Sequence, residues 1–141
     1  FGSNDTQGPL AHDPTNSYLL FLTSTTNVRR FSGIAGTTLT FVDDITLDTA
    51  VTATVGFLYD DTNSRYICVD LSNDLVRRFN SSGTTVDTAS YTMDADSRIA
   101  GICMINDRVY LINQTQGVGN SNATPIGNSL NVSLIPTTMT R

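Results

Sequence analysis

Short apolar runs alternate with polar clusters along most of the chain. Between positions 55 and 83 the runs Val55 to Tyr59, Tyr66 to Val69 and Leu75 to Phe79 are divided by Asp60 to Ser64 and Asp70 to Asp74, and closed by Asn80 to Gly83. Runs of this length between Asp, Asn, Ser and Gly clusters predict a meander of short antiparallel strands joined by tight turns. A further, more polar strand is predicted over Thr84 to Tyr91.

The same order of features occurs earlier. Asp13-Pro14-Thr15-Asn16-Ser17 matches Asp60-Asp61-Thr62-Asn63-Ser64, and Tyr18 to Phe21 matches Arg65 to Cys68. Asn27-Val28-Arg29-Arg30-Phe31-Ser32 returns as Leu75-Val76-Arg77-Arg78-Phe79-Asn80, and Thr37 to Ile45 supplies the polar fourth strand. Pro14 suits the second position of a turn, where its fixed φ is wanted. A third copy starts with Ile99 to Ile105, an Asn106-Asp107 turn and Arg108 to Asn113. Beyond Gln114 the match fades into Gly/Asn/Ser-rich chain, where Ser129 to Ile135 is the better of two strand candidates. The repeat is about 45 to 48 residues with four strands per unit, a period that marks arrays of small sheets.

Composition supports an all-β chain. The 141 residues contain no Lys, no Glu and no Trp, while Thr, Ser and Asn number 22, 13 and 12. Lys and Glu fill exposed helix faces, whereas Thr suits strands and Asp, Asn and Ser suit turns. A hydrophobic share of 39% and a mean hydropathy of −0.07 describe a soluble globular protein. No apolar run reaches bilayer-spanning length, and no basic-then-apolar leader opens the chain. Phe1 is not an initiator methionine, so a processed, cut or internal start fits equally well. The net charge of −5 argues against nucleic acid as a partner, since phosphate contacts need clustered Lys or Arg. Two cysteines do not make a disulfide scaffold.

The run GFLYDDTNSRYICVD followed by NDLVRRFNSSG resembles the NHL-like β-propeller repeat, strongly over 55–83 and more loosely over 8–113. A weaker likeness is to propeller repeats of phage tail hub and nozzle proteins, through RFNSSGT and the later RVYLIN. The expected fold is therefore all-β, with tandem four-stranded antiparallel propeller-like blades in about three repeats. Residues 1–7 form a polar lead-in, 8–54 the first repeat, 55–98 the second, and 99–141 a partial third with an irregular C-terminal segment. Propellers close with about four to eight blades, so three leave an incomplete ring unless other chains or further sequence complete it. The alternative is a sandwich of about ten strands.

Chemistry-bearing residues are sparse. His12 beside Asp13 invites a metal or acid–base role, but there is no second His and no Glu, and a packing or rim position matching Tyr59, next to a turn that Asp13 caps, is the better account. Asp43-Asp44 and Asp60-Asp61 carry oxygens that calcium favours, yet neighbouring strand residues point to opposite faces. Asp94 and Asp96 share a face if extended, as paired glycosidase carboxylates do, with Arg98 near for charge balance. Cys68 and Cys103, each flanked by Ile, fit free buried thiols better than a bridge.

The Arg doublets Arg29-Arg30 and Arg77-Arg78 are the binding candidates. One Arg of each should share a face with the following Phe, giving a guanidinium ring for an acidic partner or glycan. The plainer reading pairs them with turn acids such as Asp70, Asp74 and Asp13. Five N-x-S/T sequons start at Asn4, Asn80, Asn113, Asn122 and Asn131, which matter only in a secreted protein.

The expectation is a non-enzymatic structural or binding module acting with other chains or copies of itself. It needs no cofactor or metal, contacts neither membrane nor nucleic acid, and sits in a virion, a phage tail or an extracellular appendage. The resemblance also implies a metal hydrolase of the propeller channel or a sugar-binding propeller, against which the missing Trp counts.

Overall fold

The apolar runs become strands because each alternates a buried side chain with one facing the other way, while Asp, Asn and Ser between them reverse the chain. The computed structural model describes residues 9–52, 56–92, 97–105, 108–115 and 129–134, and these contain strands and no helix. Sheet 1 holds β1 (Leu10–Asp13), β2 (Tyr18–Ser24), β3 (Asn27–Ser32) and β4 (Thr40–Thr46). Sheet 2 holds β5 (Phe57–Asp60), β6 (Arg65–Asp70), β7 (Leu75–Asn80) and β8 (Thr85–Ser90). Sheet 3 holds β9 (Ser97–Ile105), β10 (Arg108–Thr115) and β11 (Ser129–Leu134). Within each sheet, consecutive strands pair antiparallel in chain order. The strand β11 pairs with β10 where the fading repeat had left a third strand unassigned.

The two copied turns are the same structure. Asp13 and Asp60 are both buried. Each carboxylate accepts from the backbone N–H of the Asn three residues on, Asn16 at 3.0 Å and Asn63 at 3.2 Å, and from its side-chain amide. The next residue, Ser17 or Ser64, takes a left-handed φ of 54° or 52°. Asp70 to Asp74 builds this turn a third time: Asn73 donates to Asp70 at 2.8 Å, and Asp74 has φ 52°. A branched side chain is strained in that region, at about 1–2 kcal/mol. Ser64→Val should therefore lower the unfolding free energy from urea titration by that amount while Ser64→Gly stays close to wild type; equal stabilities would show that the turn does not need a left-handed residue there.

The sheets stack face to face. Leu20, Leu22 and Val28 of sheet 1 pack on Phe57, Tyr66 and Phe79 of sheet 2. Ile67, Val69 and Val76, on the other side of sheet 2, pack on Ile99, Val109 and Leu111 of sheet 3. The period-two alternation along β6, Tyr66 and Cys68 one way and Ile67 and Val69 the other, serves both cores at once. First strands lie beside first strands, β1 against β5 and β5 against β9. An added Cβ on Gly56, just before β5, would stand 2.9 Å from the Ile102 Cβ, so glycine here lets the sheets close up.

The segment after β4 ties the first joint. Leu47 and Val51 donate backbone N–H groups to Thr26 and Thr25 in the β2–β3 turn. Asp48 accepts from the Thr85 N–H at 2.9 Å and hydroxyl at 2.6 Å. Thr52 donates to Asp70.

Candidate functional site

The Arg doublets are held by cross-strand acids. Arg29 meets Asp44 through two hydrogen bonds of 2.8 and 3.1 Å, and Arg30 pairs with Asp43, each acid lying directly opposite on β4. Arg78 pairs with Asp87, its partner on β8. Arg77 instead reaches Asp70 at 2.8 Å. The plainer reading of the doublets thus has its geometry for Arg77, with the predicted acid; the other three use strand acids that the turn-centred reading had not named. As expected, Arg29 and Arg77 share faces with Phe31 and Phe79.

These pairings fix charge states. The hydrogen bonds from Arg30 and Arg29 hold Asp43 and Asp44 below the ordinary carboxyl value, against a smaller opposing effect of desolvation. Asp48, on the surface, is lowered by its bonds from Thr85. At Asp70 burial pushes upward, but bonds from Arg77, Asn73 and Thr52 together bring the carboxyl below its usual value. Burial raises the Tyr66 hydroxyl to about 12.

The remaining candidates stand apart. His12 is exposed on β1, and its counterpart Tyr59 packs at the joint between sheets 1 and 2. Asp60 folds back on Asn63 while Asp61 is exposed. Asp94 and Asp96 lie outside the described residues. Among the described residues no group of three His, Cys or Asp side chains is placed to share a metal ion. Cys68 and Cys103 are free. They point apart, Cys68 into the core toward sheet 1 and Cys103 on the side of sheet 3 away from sheet 2, which precludes a bridge. Burial, with Asp70 nearby, drives the Cys68 thiol well above its usual value. A thiol that stays protonated and enclosed is a poor nucleophile, so Cys68 should resist iodoacetamide until the chain unfolds; labelling of the native protein at Cys68 would contradict this packing.

What the sequence reading missed is a face. On the side of sheet 1 away from sheet 2, Phe21 and Phe31 meet edge to face at 5.5 Å, and Phe31 and Phe41 at 6.2 Å. The Arg29 guanidinium lies 5.6 Å from the Phe41 ring centre. Leu10 opposite Phe21 and Phe41 opposite Phe31 remain 53% and 55% exposed. The equivalent positions of sheet 2 are occupied: Tyr66, Cys68 and Phe79, counterparts of Leu19, Phe21 and Phe31, are buried under sheet 1. The only advance signal was Phe41, an aromatic in a polar strand.

Solved structures share this stacking of sheets. Hsv2 from Kluyvelomyces marxianus aligns over 92% of this chain with a TM-score of 0.54 and 9% identity. Hydrazine synthase from Kuenenia stuttgartiensis aligns over 84% with a TM-score of 0.53 and 11% identity. Both are β-propeller proteins. The sheets are propeller blades. At such identities the likeness shows fold alone. The chain spans 48% of the first and 35% of the second, less than half of either. No family model matches the sequence, and no curated protein matches it.

The outer sides of sheets 1 and 3 carry exposed apolar side chains, Leu10 and Phe41 on the one and Ile105 on the other. Sheet 1 offers its aromatic face, and sheet 3 turns Cys103, Ile105 and Tyr110 away from sheet 2, with Ile105 54% exposed.

Proposed function

We propose that this chain is a non-enzymatic structural or binding module that works through the outer faces of its blades within a larger assembly. The observation that carries this reading is the exposure of Leu10 and Phe41 on the outer face of sheet 1, where the same face of sheet 2 carries the buried Phe57, Tyr66 and Phe79. The Arg and Asp side chains with the most chemical potential are spent on one another across strands. The Asp-Thr-Asn-Ser turns and Arg-Arg-Phe strands support an NHL-like kinship. The Lys-free, Thr- and Asn-rich composition suits a place outside a cytoplasm or in a particle such as a phage tail.

The test pairs activity with surface. Nitrophenyl esters, phosphates and glycosides, with and without Ca²⁺, Mg²⁺ or Zn²⁺, should show no turnover above buffer. Light scattering should show the chain associating, and Phe41→Asp should remove that association while shifting the melting midpoint by only a few degrees. Turnover that survives Phe41→Asp, with association unchanged by it, would replace this reading by a hydrolase of the propeller channel.

A further inference from the structure

We infer that Asn80 is an attachment site for an N-linked glycan. This rests on the reading of the chain as one that works outside a cytoplasm, and adds to it a modified residue.

The acceptor pattern is Asn80-Ser81-Ser82. An asparagine two residues before a serine or threonine serves as an acceptor from a surface loop. Of the five such patterns, those at Asn4 and Asn122 lie outside the described residues. Asn113 and Asn131 sit within β10 and β11, directly opposite each other in the strand pairing. Asn80 instead ends β7 and opens the turn to β8, with Ser81, Ser82 and Thr84 exposed after it. The matching turn of sheet 1 has Ser32 in that place and offers no amide.

The turn holds the acceptor amide by one atom. Asn80 Oδ1 accepts from the Ser82 N–H at 3.0 Å, the Ser82 hydroxyl at 2.7 Å and the Thr84 N–H at 3.0 Å. Two of these donors are backbone N–H groups, which identifies the bonded atom as the amide oxygen. Among the described residues Nδ2 has no partner. With the oxygen turned in to the loop, the nitrogen on the same trigonal carbon is turned out of it. The turn leans on sheet 1 through Gly83, which is buried beside the Thr46 carbonyl, while Ser81 and Ser82 stay open to solvent.

The chemistry asks for that free nitrogen. Nδ2 bonds to the anomeric carbon of an oligosaccharide carried on a lipid pyrophosphate. The bond from that carbon to the pyrophosphate oxygen breaks, the lipid pyrophosphate leaves with the electron pair, and one amide proton passes to a base of the transferase. Substitution at Nδ2 removes an N–H and leaves the lone pairs of Oδ1 intact. The folded turn therefore carries the sugar without giving up any of its three bonds.

The 141-residue chain, expressed behind a secretory leader in animal cells, should carry a glycan at Asn80, read by peptide mass mapping after enzymatic release in heavy-oxygen water. Ser82→Ala should abolish it and Ser82→Thr should keep it, both with the wild-type circular dichroism spectrum, since residue 82 is exposed. The glycosylated chain should melt within a few degrees of the same chain made without a glycan in a bacterial cytoplasm. An unmodified Asn80 in folded, secreted protein would overturn this inference alone. A glycan that lowers the melting midpoint well beyond a few degrees would overturn the fit of the folded turn to it. A glycan on the secreted chain that is missing from protein isolated from its own source would overturn the native modification. Association and turnover, which decide the proposed function, are read on Ser82→Ala as well, where no glycan at Asn80 can intervene.

Discussion

Asp70→Ala should destabilise the protein by about 3–5 kcal/mol, the range for removing one partner of a buried ion pair. The carboxylate is fully buried, and it accepts from Arg77 Nε at 2.8 Å, Asn73 Nδ2 at 2.8 Å, and both the N–H and hydroxyl of Thr52 at 3.3 and 2.8 Å. Its loss leaves those donors without an acceptor, which costs more than the hydrogen bonds themselves are worth. It also frees the segment that links sheets 1 and 2 from the β6–β7 turn. Urea denaturation followed by circular dichroism would measure the loss; a shift under about 1 kcal/mol would show that the network contributes no more than a surface pair.

The same residue fixes a pH dependence. The folded carboxyl titrates below its unfolded value, near 3.9, so its stabilisation is complete above that value and disappears as pH falls through the lower folded one. Wild type should therefore exceed Asp70→Asn in melting temperature at pH 6, and the gap should narrow steadily below about pH 4. A gap that is constant from pH 6 to 2 would mean that Asp70 does not gain its charge stabilisation from these partners.

Gly83→Ala should cost about 3 kcal/mol, from two sources that act together. Its φ of 88° is strained for any residue with a Cβ, at about 1–2 kcal/mol. The added methyl would also run into the Thr46 carbonyl of the neighbouring sheet, with the carbonyl carbon at 2.9 Å. Backbone cannot rotate aside as a side chain does, so the joint must open, at about 1–3 kcal/mol. Because Asp48 donates its N–H to the Gly83 carbonyl at 2.9 Å, opening there weakens the Asp48–Thr85 clasp as well. A melting midpoint lowered by about 10 °C is expected; an unchanged midpoint would place the β7–β8 turn away from β4.

Much of this architecture is legible before any coordinates. The Asp-x-x-Asn-Ser turns announce themselves because all their bonds run within five residues, and the predicted runs coincide with β5, β6 and β7 to within a residue or two. The third use of that turn, at Asp70 to Asp74, was read as a turn but not as a copy, since Asp stands where Ser does elsewhere. The ion-pair partners Asp43 and Asp87 were not legible. They depend on the register of β3 with β4 and of β7 with β8, and an irregularity interrupts each pairing just after Arg30 and Arg78. The aromatic face was hidden for a related reason: Phe21, Phe31 and Phe41 come together only through three-strand pairing.

Among the described sheets, sheet 2 has a neighbour on each side while sheets 1 and 3 have one each, and this ranks the strands by how reluctantly they admit solvent. In a stack where sheets contact only adjacent ones, disruption starts from the outside and the innermost layer yields last. Deuterium should consequently enter the amides of β3 and β10 well before those of β6, whose side chains from Tyr66 to Asp70 are all enclosed. Should further protein cap the outer layers, that difference in uptake would flatten, so the exchange profile doubles as a record of what lies against them.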